Sequence, residues 1–78
     1  MDIDEFDKQE FLVKLGSRIA KLRRSKGYSQ DRACLEAGMS RGALSKIESG
    51  KVEPKISTIA IIALVIDVPL RRFLDLEF

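Results

Sequence analysis

The chain has 78 residues, 45% of them apolar, and a formal net charge of +2. This composition describes one small globular domain, too apolar to stay disordered and short enough that a second copy is a natural source of added stability. One cysteine, no histidine and a longest apolar run of only Ile59 to Ile66 exclude an internal disulfide, a zinc site and a membrane span.

A lone cysteine suits a reducing cytoplasm. The acidic first ten residues do not read as a secretory signal, so a cytoplasmic chain is expected. Charge is unevenly spread. Residues 1–10 carry five carboxylates and one lysine, while residues 11–55 carry eleven Lys or Arg against four acids. Segregated positive charge suits a polyanion partner, and a solvated surface is the alternative.

In the first segment, Ile3 and Phe6 leave several readings open: extension of the first helix, packing back on the body, or a frayed terminus. Leu12, Leu15, Ile19 and Leu22 then recur at spacings of three and four, which predicts an amphipathic helix. Its polar side carries Lys14, Arg18, Lys21 and Arg24, and Lys26-Gly27 ends it with glycine as the stop. Ser29 reads as the N-cap of a short helix from Gln30 to about Ala37, with Asp31 near its positive end. Gly38 permits a left-handed turn. Ser40 reads as the N-cap of the next helix, which closes at Gly50 and is weakened by Gly42.

After the loop KVEPK, residues 51–55, the pattern predicts a helix over about Ile56 to Ile66. Asp67-Val68-Pro69 breaks it, and Leu70 to Leu74 supplies a last helical turn. Nothing alternates apolar and polar residues as a half-buried strand would. The expected architecture is therefore all-α, a compact five-helix bundle.

Two short helices around a glycine turn, over residues 29–50, form a helix-turn-helix unit. A small residue must pack between them, and Cys34 is small. Leu44 and Ile47 anchor the second helix, which leaves 41, 42, 45 and 46 facing outward. The start of the first helix can offer N–H groups to a phosphate, helped by Gln30, and the outward face of the second can enter a major groove.

The run SQDRACLEAGMSRGALSKIESGKVEP resembles the helix-turn-helix of the Xre, or Cro/cI-like, family of bacterial and phage regulators. The likeness extends over about residues 12–74, through LGSRIAKLRRSKGYSQ before the motif and PKISTIAIIALVIDVPLRRFL after it. It implies a lambda-repressor-like DNA-binding domain over 11–78, preceded by an acidic extension over 1–10. It also implies that Gln30 clamps a phosphate, that Arg41, Gly42 and Lys46 lie at base-reading positions, and that Arg23 pairs with Glu48. Arg and Lys can both reach guanine O6 and N7. Ser45 joins the base-contact set; Ser29, Ser40 and Lys51 join Gln30 as backbone contacts. The family usually has Leu-Ala where this chain has Ala33-Cys34, and a polar residue where it has Leu35. Either the apolar position has moved by one, or Leu35 receives the N-terminal segment through Phe6 or Phe11.

The helix at 56–66 carries more apolar material than one face can bury. Ile59, Ile62, Ala63 and Ile66 make the core face, which leaves Ile61, Leu64 and Val65 over. In similar proteins the positions of Ile61 and Leu64 are often charged. These residues, with Pro69, Leu70 and Phe73, are expected to meet a second copy in a homodimer, and Leu76 and Phe78 to widen the patch. The alternative is that Ile61 and Leu64 pack under the N-terminal segment.

The expected function is a transcriptional regulator, a repressor or a restriction–modification controller-like switch, with double-stranded DNA and itself as partners. An antitoxin that also binds DNA, with a toxin or another regulatory protein as partner, is the alternative. No constellation of nucleophile, base and oxyanion donor is visible, so no enzyme, cofactor or metal is expected.

Overall fold

The computed structural model describes residues 2–77. Asp7 opens helix α1, Lys8–Ser25, by accepting the Glu10 N–H at its side chain, 3.2 Å away. The helix thus takes in the last three residues of the acidic segment. Before it, Ile3–Glu5 make a single 3-10 turn and Phe6 is extended. Phe6 does not continue α1. Its ring packs on that of Phe11, 5.9 Å between centroids.

The predicted stripe of Leu12, Leu15, Ile19 and Leu22 is the buried face of α1. Gly27, at φ +79°, turns the chain away. Helix α2, Gln30–Ala37, begins with the Ser29 hydroxyl accepting the Arg32 N–H and ends at Gly38 in the left-handed region. Its buried pair is Ala33 and Cys34, while Leu35 is 80% exposed. The family register is therefore unshifted: 33 and 34 take the inward positions of the helix, and 35, one step on, must point out.

Helix α3 is Ala43–Glu48, two residues shorter at its start than the Ser40 cap predicts. The Ala43 N–H donates to the Ser40 carbonyl at 3.1 Å, which closes a turn over Arg41-Gly42. Gly42 has φ +85° and ψ −10°, values a type II turn requires at its third position. No helix can run through that residue, so Ser40 caps nothing and Gly42 stands at the cap position.

Helix α4, Ile56–Ile66, buries Ile59, Ile62, Ala63 and Ile66. Asp67 ends it at φ +60°, a conformation that Asp tolerates better than most side chains. Helix α5, Leu70–Phe73, is a single turn whose Phe73 is 0% exposed. In the packing, α1 lies on α3, α2 on α4, and α5 closes between α4 and α1. Among the described residues there is no strand, and no helix is long and apolar enough to cross a membrane.

Candidate nucleic-acid interface

Helix α3 is held from behind and open in front. Leu44 and Ile47 are buried in the core, and Ser45 and Lys46 between them are exposed. Arg41 and Gly42 are exposed too, but in the turn ahead of the helix rather than on its face. Arg41 lies 3.8 Å from the Asp31 carboxylate of α2, a loose pair with both side chains in solvent. Lys46, and Lys51 in the loop that follows, have no carboxylate within ion-pair distance among the described residues.

The brace behind α3 is ionic. Arg23 Nε donates to Glu48 Oε2 at 2.7 Å and Arg23 Nη2 to Glu48 Oε1 at 3.0 Å. The two side chains are only 7% and 6% exposed. A third donor, Arg23 Nη1, reaches the Tyr28 carbonyl at 2.6 Å, and Gln30 Nε2 completes Glu48 at 2.9 Å. The pair is bidentate and its remaining donors and acceptors are satisfied, the condition under which a buried ion pair is tolerated. Gln30 is thus tied to α3 while one N–H of its amide is left over. Ser29 and Ser40 are exposed, the first engaged as the α2 cap.

A groove of about 440 Å³ runs along one side of this brace. Its walls include Ser17 and Arg24 of α1, Gln30 of α2, and Ser45 and Ser49 of α3 and its end. Ser17, Arg24 and Ser49 lie outside the expected contact set. Ser17 and Arg24 are seven apart on α1 and so share a face, but nothing local says that α3 lies beside it. The neighbouring cations of α1 are spent elsewhere: Lys14 donates to the Glu77 carbonyl at 2.6 Å and Arg18 to the Arg72 carbonyl at 2.8 Å. Arg32 hydrogen-bonds Glu36 at 2.8 Å, which raises its pKa above the ordinary guanidinium value and leaves it charged at any working pH.

On α4, Leu64 is 81% and Ile61 44% exposed, so the N-terminal segment does not cover them. Val65 and Leu70 are half-buried and Pro69 is exposed. Phe73 corrects the expected interface: it is wholly inside the core and unavailable to another chain. Leu76 packs half-buried against the same core, and Phe78 lies outside the described residues. Among the described residues no group of three or more His, Cys, Asp or Glu could hold a metal.

The profile of the helix-turn-helix family HTH_3 matches residues 19–73. The chain belongs to the Xre-like helix-turn-helix family. That family consists of transcriptional regulators, not enzymes. The family member PuuR, an HTH-type transcriptional regulator of Escherichia coli, is 38% identical over 58 residues, 74% of this chain and 31% of PuuR. YonR, an uncharacterized prophage-derived HTH-type regulator of Bacillus subtilis, is 40% identical over 53 residues, 68% of this chain and 49% of its own. The chain thus spans about a third to a half of these curated relatives. The crystal structure of the restriction-modification controller protein C.AhdI from Aeromonas hydrophila superposes with a TM-score of 0.79 at 30% identity. That match covers 82% of this chain and 97% of C.AhdI.

Proposed function

We propose that this chain is a sequence-specific DNA-binding transcriptional regulator that works as a homodimer on a pseudo-palindromic site. The observation that carries the reading is the two-sidedness of α3. Leu44 and Ile47 lock it to the core, and Ser45 and Lys46 face solvent, the lysine with no carboxylate within ion-pair distance among the described residues. An exposed cation with no carboxylate to leave can move onto a base or a phosphate without breaking an internal pair. Arg41, Gly42, Ser45 and Lys46 are the base-contact set. Ser29, Gln30, Ser40 and Lys51 flank it on the backbone. With Arg41 in the turn, its long side chain enters the groove ahead of the helix rather than from its first turn.

The second copy is inferred from Ile61 and Leu64, which are apolar, adjacent on α4 and exposed. With Val65, Pro69 and Leu70 they form a patch that a two-fold axis can bury against itself. A dimer places two α3 helices on successive major grooves, about 34 Å apart on one face of the duplex.

Selection of duplexes from a random pool, followed by footprinting upstream of the protein's own gene, tests the reading. The expected result is a two-fold-symmetric site protected in adjacent grooves. If each dimer covers roughly 6–10 phosphates, affinity falls by about 10³–10⁵ between 50 and 200 mM salt. An asymmetric site, or no site at all, refutes it. A second reading, an antitoxin, draws on Ile3 and Phe6, exposed apolar residues within the acidic first segment. Stable co-purification with a small protein encoded beside it, lost on deletion of residues 1–6, would favour that reading.

A further inference from the structure

The α1 wall of the groove between α1 and α3 has no role in the contacts assigned above, and its chemistry is that of an anion seat. Arg24 lines it and has no carboxylate within ion-pair distance among the described residues. Ser17, one face-repeat earlier on α1, brings a hydroxyl to the same wall. Between them Ala20 is buried, and its small side chain leaves depth. Gln30 lies across the groove with one amide N–H uncommitted, because only one is needed for Glu48. The carboxylate of Glu48, which would repel an anion, already accepts from Arg23 twice and from Gln30 once.

The geometry points to a phosphate seat on α1: Arg24 and Ser17 hold a DNA backbone phosphate on the strand that borders the groove entered by α3. This rests on the DNA-binding reading and extends it to a helix outside the helix-turn-helix. Ser45 joins the two regions, since it lines the groove and stands next to Lys46 on the exposed face of α3. A strand passing Lys46 therefore runs along the mouth of the groove. On the other flank of α1 a second, opposite groove holds Lys21, but Lys14 and Arg18 there are tied to the carbonyls of Glu77 and Arg72, and its far wall is Leu76 and Glu77 rather than α3.

Arg24→Gln, Ser17→Ala and, as a control, Lys21→Gln in the opposite groove are compared by fluorescence anisotropy. Each is titrated with a selected duplex and with a scrambled one across a salt series. All three positions are exposed, so the fold is not at stake. Arg24→Gln is expected to weaken both duplexes alike, by about tenfold, as loss of a charge-assisted hydrogen bond does. The slope of log K against log salt should fall by about 0.9 per phosphate released, or about 1.8 for a dimer. Ethylation interference should lose one protected phosphate per half-site in Arg24→Gln, and the same one should weaken in Ser17→Ala. Wild-type affinity and slope in Arg24→Gln overturn the proposal, as does an equal loss in Lys21→Gln, which would make Arg24 part of a diffuse charge. A loss confined to the selected duplex also overturns it, by making Arg24 a base reader. If the wild type binds neither duplex at low salt, the DNA-binding reading falls first and the phosphate seat with it.

Discussion

Gly16 of α1 sits so close to Ile47 of α3 that a Cβ on it would lie 2.4 Å from the Ile47 carbonyl oxygen and 2.5 Å from that of Glu48. Both atoms are backbone and cannot swing away. The same stripe of α1 continues to Arg23, seven residues on, which holds the Glu48 side chain. In the other direction, Gln9 Nε2 donates to the Gly50 carbonyl at 3.1 Å. One face of α1 therefore seats the C-terminal end of α3 at three heights.

Gly16→Ala is accordingly expected to destabilise the protein. In an open helix interior, Gly to Ala stabilises by about 1 kcal/mol. Here the added methyl meets main-chain oxygen well inside contact distance, and overpacking of that kind costs typically 1–3 kcal/mol. The clash wins, and a fall in Tm of several degrees should follow by calorimetry. A Tm equal to or above wild type would show that α3 is not held at this height.

Removing one partner of the buried pair should cost more. Glu48→Ala leaves the Arg23 guanidinium buried with only the Tyr28 carbonyl, and strands the Gln30 amide. Breaking a buried pair from one side costs about 3–5 kcal/mol, a large share of the roughly 5–15 kcal/mol by which domains are stable. Urea melts should show a midpoint sharply lower than wild type. Glu36→Ala, which removes an exposed partner of Arg32, should shift it by no more than loss of a solvent-screened surface pair does. Equal effects of the two changes would refute the brace.

How far these features can be read from residues alone depends on whether their cause is local. The inward face of α4, Ile59, Ile62, Ala63 and Ile66, follows from helical spacing, and so does the apolar excess at Ile61 and Leu64. The caps at Ser29 and Gly38 are likewise set by their own side chains or lack of one. The start of α3 misleads because two local signals compete. Ser40 is a good cap, but Gly42 can take a left-handed φ that ends the helical path between them. Phe73 reads as an interface residue because a single turn has no periodicity to say which way it faces. The groove of Ser17 and Arg24 is invisible for a different reason: its second wall comes from residues 30–49, and only packing brings the two together.

The α4 patch yields a prediction about assembly. Leu64 is exposed in the single chain, so Leu64→Asp does not disturb the monomer core. Two carboxylates facing each other across a two-fold axis, desolvated and unpaired, would oppose association. Sedimentation equilibrium at micromolar concentration should show wild-type dimer and variant monomer, and the variant should bind a full site no more tightly than a half-site. Phe73→Ala, by contrast, should act on folding, with a loss of about 3–5 kcal/mol from the core. A variant Leu64→Asp that stays dimeric would move the interface elsewhere.

Arg41 and Lys51 should separate base reading from backbone attraction. Arg41→Ala is expected to cost about 1–3 kcal/mol on the selected site and to relax preference at one base pair per half-site, while Lys51→Ala weakens every sequence alike. The loose contact with Asp31 sharpens the test. That carboxylate stands 3.8 Å from the guanidinium in the free protein and must be left behind when Arg41 enters the groove. Asp31→Asn removes the competitor and a negative charge from the side proposed to face DNA, so affinity should rise on all sequences. In the Arg41→Ala background the gain from Asp31→Asn should shrink, because only general repulsion is then relieved. Binding measured on selected and scrambled duplexes for the four combinations gives the coupling directly. An Arg41→Ala loss of equal size on both duplexes would make Arg41 a backbone contact, and additive effects of the two substitutions would show that Asp31 does not hold it.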